Sequence, residues 1–167
     1  MSASENAGVA IRRATQADAA ILARMRANSA FERHSGTAAQ HAEYERVCSA
    51  FFAAQLAQEN SFLRSWIASR GEQIAGGASL ALFPTLPRYG EPFNGTDGRV
   101  RDVYVEPAFR RAGVARALMN VILAEARSLR IDRLSLGASA MGRPLYESLG
   151  FVGKLDEMVY ERCVEFA

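Results

Sequence analysis

Hydrophobic and polar residues alternate with two different periods along this chain, and each change of period marks the boundary of a predicted element. Apolar residues recur at helical spacing in residues 16–30, in residues 38–59 and in the stretch that follows Gly113. Shorter apolar or alternating runs indicate strands, two of which form a predicted hairpin around residues 70–72. The predicted strands are Val9–Arg13, 62–69, 73–83, 99–105, 134–136 and, near the C-terminus, 157–163.

This order of strands and helices predicts a mixed α/β (α+β) fold of one domain, which suits a chain of 167 residues. Residues 9–167 are assigned to that domain, and residues 1–8 are expected to be disordered, as chain ends often are. Thr15 is predicted to cap the first helix. The inward positions predicted for this helix are Ala19, Leu22, Ala23 and Met25. One face of the second helix is predicted to pack against the core, and it consists of Tyr44, Val47, Cys48, Phe51, Phe52 and Leu56.

The most informative segment lies between the strand that ends at Val105 and the helix that follows Gly113. A proline and several arginines precede this glycine and interrupt the apolar pattern. Backbone N–H groups at the start of a helix have no internal acceptor and lie at the positive end of the helix dipole, so they attract phosphate. Gly113 lacks a Cβ, which lets an anion approach the main chain closely. We call residues 111–116 the phosphate cradle and predict that they bind a pyrophosphate.

Two common phosphate-binding motifs are absent from this segment. No Gly-Lys-Ser/Thr follows the glycine, which excludes a P-loop, and no Gly-x-Gly-x-x-Gly is present, which excludes a dinucleotide-binding Rossmann motif. The pattern Arg110-x-x-Gly113-x-Ala115 behind a Val-Tyr-Val strand resembles the acetyl-coenzyme A motif of the GNAT-type N-acetyltransferases. A second segment, Leu-Tyr-Glu-Ser-Leu-Gly-Phe at residues 145–151, is similar to the second signature of that family.

The resemblance implies both a fold and a reaction. The fold would be a mostly antiparallel mixed sheet of about seven strands and about four helices, with two strands splayed apart at the coenzyme site. The reaction would be direct transfer of an acetyl group from acetyl-coenzyme A to a primary amine. No cysteine lies beside the motifs, which disfavours a covalent enzyme intermediate. The alternative is a module of the same fold that binds or senses acyl-coenzyme A with little turnover.

The resemblance also implies which residues hold the coenzyme. Backbone groups of the strand would bind the acetyl and pantetheine arm, and an N–H near Val105 would stabilise the developing oxyanion. Tyr146 would protonate the departing thiolate, unless it only packs on the sheet. Ser139 would touch the coenzyme arm, unless it is an ordinary loop serine. The coenzyme-binding residues implied in this way are Val103, Tyr104, Val105, Arg110, Arg111, Ala112, Gly113, Val114, Ala115, Arg116, Ser139 and Tyr146.

The general base and the acceptor site depart from the better understood relatives. Several relatives carry Glu or His at the positions of Arg99 and Arg101, and arginine is no base at neutral pH. Asp102 is the nominated base, acting through water, and its alternative role is a salt bridge; Glu32 and Glu157 are further candidates. Arg99 and Arg101 are two residues apart, so they share a face of the strand. With Glu32 they are the predicted acceptor-binding residues, for an anionic amine such as an amino acid or a peptide terminus.

Composition narrows the remaining function classes. The net charge of +2 is too small to indicate a nucleic-acid or membrane partner, and no apolar run approaches a bilayer span. Cys48 and Cys163 are few and far apart, as in reduced cytoplasmic proteins. His34 and His41 lack the partners of a metal site, so no metal is expected. The expected partner is a small-molecule or peptide amine in the cytoplasm, with a homodimer left open.

Overall fold

The computed structural model describes residues 8–154, which form two compact units. The first unit ends at Gly137, and the second begins at Ala138. Four sequence-based predictions lie outside the described residues: the disorder of residues 1–8 (apart from Gly8, which is described and lies in a turn), the strand at 157–163, the candidate base Glu157 and the thiol of Cys163. The assignment of residues 9–167 to one domain stays a prediction.

The order of helices and strands follows the order predicted from the hydrophobic pattern. The elements of the first unit are β1 (Val9–Arg13), a 3-10 turn (Gln16–Asp18), α1 (Ala19–Arg33), α2 (Ala38–Leu56), β2 (Leu63–Arg70), β3 (Gln73–Pro84), β4 (Thr96–Val105), a second 3-10 turn (Pro107–Phe109), α3 (Val114–Ser128) and β5 (Arg133–Leu136). The second unit contains α4 (Arg143–Ser148). The described residues therefore form an α/β fold with a mixed sheet of five strands and four α-helices.

The five strands lie in the sheet in chain order, β1-β2-β3-β4-β5. Neighbours from β1 to β4 are antiparallel, and the predicted hairpin between β2 and β3 is confirmed. β4 and β5 are parallel, because α3 carries the chain back across the sheet between them. This crossover places the end of β4, the phosphate cradle and the start of α3 next to one another along the chain.

The prediction of about seven strands is wrong for the described residues, which form five. That number came from the family resemblance, whereas the hydrophobic pattern itself supplied only six segments. The chain between β3 and β4 adds no strand, and its Pro87 and Pro92 have no N–H to donate to a sheet.

β4 begins at Thr96, three residues earlier than predicted, because a distant carboxylate organises Thr96 and the two residues before it. Asp132 accepts the backbone N–H groups of Asn94 and Gly95, with N–O distances of 2.7 and 2.8 Å. The Asp132 N–H in turn donates to the Thr96 carbonyl at 2.8 Å. Contacts between residues so far apart in sequence leave no local pattern.

Helices cover both faces of the sheet, as two adjacent glycines of β3 show. A Cβ on Gly77 would lie 3.0 Å from the Met25 sulfur of α1, whereas a Cβ on Gly76 would lie 3.3 Å from Val114 of α3. Neighbouring residues of a strand point to opposite faces, so α1 and α3 lie on opposite sides. The Gly76 position would also come within 2.5 Å of the Tyr104 carbonyl oxygen, which leaves room for no larger residue.

The core is split by the sheet into two layers. On one side the buried residues that pack together are Ala14, Ala19, Leu22, Ala23, Cys48, Phe52, Leu63 and Ile67. On the other side α3 buries Val114, Ala117, Leu118, Met119, Ile122 and Ala126. The inward positions predicted for α1 are confirmed. Only part of the predicted α2 face is buried, because Tyr44, Val47 and Phe51 remain 37%, 50% and 45% exposed.

The entry to α1 is held by a buried carboxylate. Asp18 accepts hydrogen bonds from the Thr15 N–H at 2.8 Å and from both terminal nitrogens of Arg12 at 2.7 and 2.8 Å. Thr15 therefore marks the helix entry as predicted, although a 3-10 turn precedes α1. The Arg12 hydrogen bonds, followed by those from Thr15, outweigh the cost of burial and lower the pKa of Asp18 from 3.8 to about 2.

We expect Asp18→Asn to reduce the free energy of unfolding by about 2 kcal/mol at pH 7, since each unit of pKa shift corresponds to about 1.4 kcal/mol. A lowered folded-state pKa stabilises the protein above pH 4, and this contribution is lost as the pH falls towards 2. Urea denaturation at pH 7, 4 and 2.5 should therefore show a smaller loss of stability on acidification in the variant than in the wild type. Glu72→Gln, at an exposed turn, is the control. Parallel pH profiles for Asp18→Asn and the wild type would contradict this account.

Candidate active site

The sheet opens between β4 and β5. Their pairing begins at Asp97 with Arg133 and ends at Val100 with Leu136, whereas β4 continues for five more residues to Val105. Within residues 8–154, no strand pairs with the part of β4 from Arg101 to Val105 on the side where β5 lies. Among these residues β4 and β5 therefore stop pairing after Val100, as the predicted splaying of two strands requires.

The direction of the Val105 backbone follows from the hydrogen bond next to it. The Glu106 N–H donates to the Ala75 carbonyl of β3 at 2.9 Å, and residues along an antiparallel strand alternate in direction. Val105, which lies opposite Gly76, therefore points its N–H and C=O away from β3 and towards the open edge. By the same alternation the Tyr104 backbone groups point towards β3 and away from the open edge. The role of Tyr104 towards the coenzyme stays a prediction.

A bulge in β4 sets the position of Asp102. The pairing register with β3 shifts between Gly77 and Ser79, and Asp102 has a left-handed φ of 54°. Its carboxylate forms an ion pair with Arg26 of α1, whose guanidinium lies 5.9 Å from the centre of the Tyr44 ring. Arg26 is thus the partner for a salt bridge, which is the alternative role of Asp102. The role of Asp102 as a base stays a prediction.

The phosphate cradle combines two left-handed residues with an uncapped helix start. Arg111 has φ 65° and Gly113 has φ 79°, and no side chain of the described residues caps α3. The first backbone hydrogen bond into the helix runs from the Ala117 N–H to the Gly113 carbonyl, at 3.0 Å. A left-handed residue followed by a helical one turns successive N–H groups to the same side, which forms a concave anion site. The cradle therefore has the geometry of an anion site, and its binding of a pyrophosphate stays a prediction.

Arg110 and Glu32 form a contact that sequence analysis missed. Nη2 of Arg110 lies 2.6 Å from Oε1 of Glu32, and Nε donates to the Val105 carbonyl at 3.0 Å. The Tyr104 hydroxyl also donates to Oε1 of Glu32, at 3.3 Å. Arg110 and Glu32 are 78 positions apart and were assigned to different sites, so no local signal could pair them.

The charges of this network shift two pKa values. Hydrogen bonding to Glu32 raises the pKa of Arg110 further above its already high value. Burial, followed by the nearby charges of Glu32 and Glu106, raises the pKa of Tyr104. Arg110 is therefore cationic and the Tyr104 hydroxyl is neutral at all physiological pH values.

The two arginines of the predicted acceptor site lie on one face of β4. Arg101 is paired with Ser79 and Arg99 with Ala81, so both side chains project from the face that α1 and α2 cover. Ser79 is buried there and forms a hydrogen bond of 2.7 Å with Ser65. Arg101 is exposed and Arg99 is half-exposed. Their roles towards an acceptor stay predictions.

The second unit, considered by itself, forms a tight turn around Tyr146. The Ser139 hydroxyl accepts the Gly142 N–H at 3.1 Å, and a Cβ on Gly142 would lie 3.0 Å from the Tyr146 ring. The Tyr146 ring also meets the Phe151 ring edge-on, at 6.2 Å between centres. Burial raises the pKa of the Tyr146 phenol above its ordinary value, which keeps it protonated. Its role towards a thiolate and that of Ser139 towards the coenzyme stay predictions.

The part of the chain that the structure describes shows neither a metal-binding cluster nor a membrane-spanning helix. Residues 8–154 contain no group of three His, Cys, Asp or Glu side chains that could hold a metal ion. No helix in that range is long and apolar enough to cross a membrane.

Two solved structures resemble this one along almost their whole length. A GCN5-related N-acetyltransferase from Ralstonia eutropha JMP134 has a TM-score of 0.79 and 25% sequence identity, with 93% of this chain and 99% of that chain covered. A predicted acetyltransferase from Clostridium acetobutylicum, solved with acetyl-CoA, has a TM-score of 0.77 and 25% identity, with 92% and 96% covered. The fold of this protein is therefore one that acetyltransferases use.

Sequence comparison points to the same group of proteins. A glucosamine 6-phosphate N-acetyltransferase from Trypanosoma brucei brucei is 35% identical over 79 residues, which are 47% of this chain and 51% of that protein. The chain thus spans about half the length of this curated relative. The sequence model of the acetyltransferase (GNAT) family matches residues 25–151 of this chain. Because that match runs from α1 to Phe151 and includes both the cradle and Tyr146, the chain belongs to the acetyltransferase (GNAT) family.

Proposed function

We propose that this protein transfers an acetyl group from acetyl-coenzyme A to a primary amine in one direct step. The observation that carries the proposal is the uncapped start of α3, where Gly113 turns backbone N–H groups of the phosphate cradle to one side. Bound acetyl-coenzyme A would supply an activated acetyl thioester. The residues of the chain would bind it, orient it and move the protons.

Each group of the proposed site, whether backbone or side chain, has a separate task. The cradle would bind the pyrophosphate through main-chain N–H groups, with Arg111 and Arg116 adding positive charge. The Val105 N–H would stabilise the negative charge that develops on the acetyl carbonyl oxygen. The backbone of Val103 and the Ser139 hydroxyl would hold the pantetheine arm. Tyr146 would donate its proton to the sulfur that leaves.

The acceptor is proposed to be an amine that also carries an anionic group. Arg99 and Arg101 project from one face of β4, and arginine grips carboxylate or phosphate through two parallel hydrogen bonds. Arg26 adds a third cation on that side, although its charge is offset by Asp102. The name of the trypanosomal relative describes such an acceptor, an amino sugar with a phosphate. Amino acids and acidic peptide termini belong to the same chemical class.

The base that deprotonates the amine is proposed to be Asp102, acting through a water molecule. Glu32 is a weaker candidate, because Arg110 and the Tyr104 hydroxyl already occupy one of its oxygens. The ion pair between Asp102 and Arg26 also favours a second function, which is binding or sensing of acyl-coenzyme A with little turnover. The proposed location is the cytoplasm, and the buried Cys48, a free thiol within the described residues, is compatible with such a reducing location.

An assay of free thiol released from acetyl-coenzyme A, run across a panel of amines, distinguishes an acetyltransferase from a module that only senses acyl-coenzyme A. The most informative pair is glucosamine with glucosamine 6-phosphate, since the two differ only in the anionic group. A charge-assisted hydrogen bond contributes about 1.5–3 kcal/mol, and about 1.4 kcal/mol corresponds to tenfold. We therefore expect kcat/KM to be at least about tenfold higher for the phosphorylated amine, and spermidine to be a poor acceptor.

The control for this preference is a pair of variants. Arg99→Ala/Arg101→Ala should lose the tenfold difference by raising KM for the anionic amine, whereas Arg127→Ala on the exposed side of α3 should keep it. If spermidine or an aminoglycoside were the best acceptor, the anionic acceptor class would be wrong. If acetyl-coenzyme A bound tightly and no amine released thiol, the sensing module would replace the enzyme.

We expect Tyr146→Phe to lower kcat by roughly a hundredfold, as for loss of a positioned general acid, while coenzyme affinity stays nearly unchanged. The ring and its contact with Phe151 are kept in this variant, so only the hydroxyl is lost. Steady-state thiol release and calorimetry measure the two quantities. Tyr89→Phe is the matched control, since Tyr89 is fully exposed in the loop before β4. Wild-type turnover in Tyr146→Phe would mean that the residue only packs.

A further inference from the structure

We propose that Arg110 acts as a positioning residue, which with Glu32 fixes the Val105 backbone at the open edge of β4. This inference rests on the proposed function and assigns Arg110 a different task from the phosphate contact that its place in the motif implies. Glu32, in turn, would hold Arg110 instead of binding the acceptor.

The contacts of Arg110 use up one edge of its guanidinium. Nε donates to the Val105 carbonyl at 3.0 Å and Nη2 lies 2.6 Å from Oε1 of Glu32. The remaining face is covered in part by the Tyr104 ring, whose centre lies 5.7 Å from Cζ. Nε and Nη2 form one of the two edges with which arginine makes a bidentate phosphate contact. Arg110 is thus committed to the protein on this edge.

These contacts clamp the peptide between Val105 and Glu106 from both ends. Its carbonyl oxygen accepts from Arg110, and its N–H donates to the Ala75 carbonyl of β3 at 2.9 Å. On the other side of Val105, the Tyr104 hydroxyl is held by Glu32 at 3.3 Å. The orientation of the Val105 N–H between these two points is therefore fixed.

The opening of the sheet explains why such a clamp is needed. A strand inside a sheet is oriented by hydrogen bonds on both edges, but pairing with β5 ends at Val100. From Arg101 to Val105, β4 is held on the β3 side, and side chains supply further restraint. α1 provides this restraint at two points. Arg26 pairs with Asp102 at the start of the stretch, and Glu32 pairs with Arg110, which follows its end. A donor that stabilises an oxyanion works only if it is held at the right place.

The alternative explanation, that the ion pair merely stabilises the fold, is weak. The side chains of Arg110 and Glu32 are 32% and 43% exposed, and exposed ion pairs contribute little to stability. Variants at these positions are thus expected to fold. Loss of function in them would reflect the orientation of the backbone.

The test compares Arg110→Gln, Glu32→Gln and the double variant with the wild type. We expect each single variant to lower kcat of thiol release ten- to about a hundredfold while the Kd of acetyl-coenzyme A stays within about threefold. The double variant should be no worse than either single variant, because the two residues act as one unit. Hydrogen exchange of residues 102–110 should be faster in all three. The matched control is the exposed ion pair Glu43–Arg46 of α2, whose Gln variants should behave as the wild type.

Two further variants separate positioning from phosphate binding. Arg110→Lys keeps the charge but loses the planar fork, so it should not restore kcat. Arg111→Gln should weaken coenzyme binding, as expected for a cation in the cradle. The proposal is overturned if Arg110→Gln weakens binding as much as Arg111→Gln and keeps kcat at saturating coenzyme, or if exchange of residues 102–110 is unchanged. Failure of the wild type to bind acetyl-coenzyme A would overturn the proposed function, whereas the exchange measurement would still test the clamp.

Discussion

Backbone hydrogen-bonding groups that are released from regular structure are the physical basis of this site. A sheet normally pairs every N–H along both edges of an inner strand, and a helix satisfies all but its first few. Among residues 8–154, β4 outlasts its pairing with β5 by five residues, and no side chain caps the start of α3. Both sets of groups lie within about a dozen residues of one another in sequence, on either side of the 3-10 turn at Pro107–Phe109. The packing of the rest of the structure fixes the positions of the β4 edge and of the start of α3.

Small residues and close packing provide the rigidity that this arrangement needs. Gly76 and Gly77 let α3 and α1 approach opposite faces of β3, beside the end of β4. Larger residues there would meet the Tyr104 carbonyl oxygen or the Met25 sulfur. The phosphate cradle also depends on a glycine, but for a conformational reason. Gly113 has a left-handed backbone, which is costly for other residues. The candidate site therefore consists mainly of backbone groups, and Gly76, Gly77 and Gly113 permit the backbone geometry that it needs.

The sequence predicts the local features of this site well and the long-range ones poorly. The order of elements, the turn at Gly113 and the helix after it follow from spacing and residue type, because they depend on neighbours in the chain. The ion pair of Arg110 with Glu32 and that of Asp102 with Arg26 join residues 76 or more positions apart. The early start of β4 depends likewise on Asp132. The predicted burial of the α2 face is only partly confirmed, because helical spacing alone does not show how much of an apolar stripe is covered by neighbouring elements.

Binding of acetyl-coenzyme A by backbone N–H groups can be observed by NMR, in a titration of the ¹⁵N-labelled protein with the coenzyme. We expect the largest amide shift changes at Gly113, Val114 and Ala115 and at Val105. Coenzyme A without the acetyl group should reproduce the changes in the cradle but leave a smaller change at Val105. Saturable binding that leaves the amide signals of the cradle unmoved would show that these N–H groups do not bind the coenzyme.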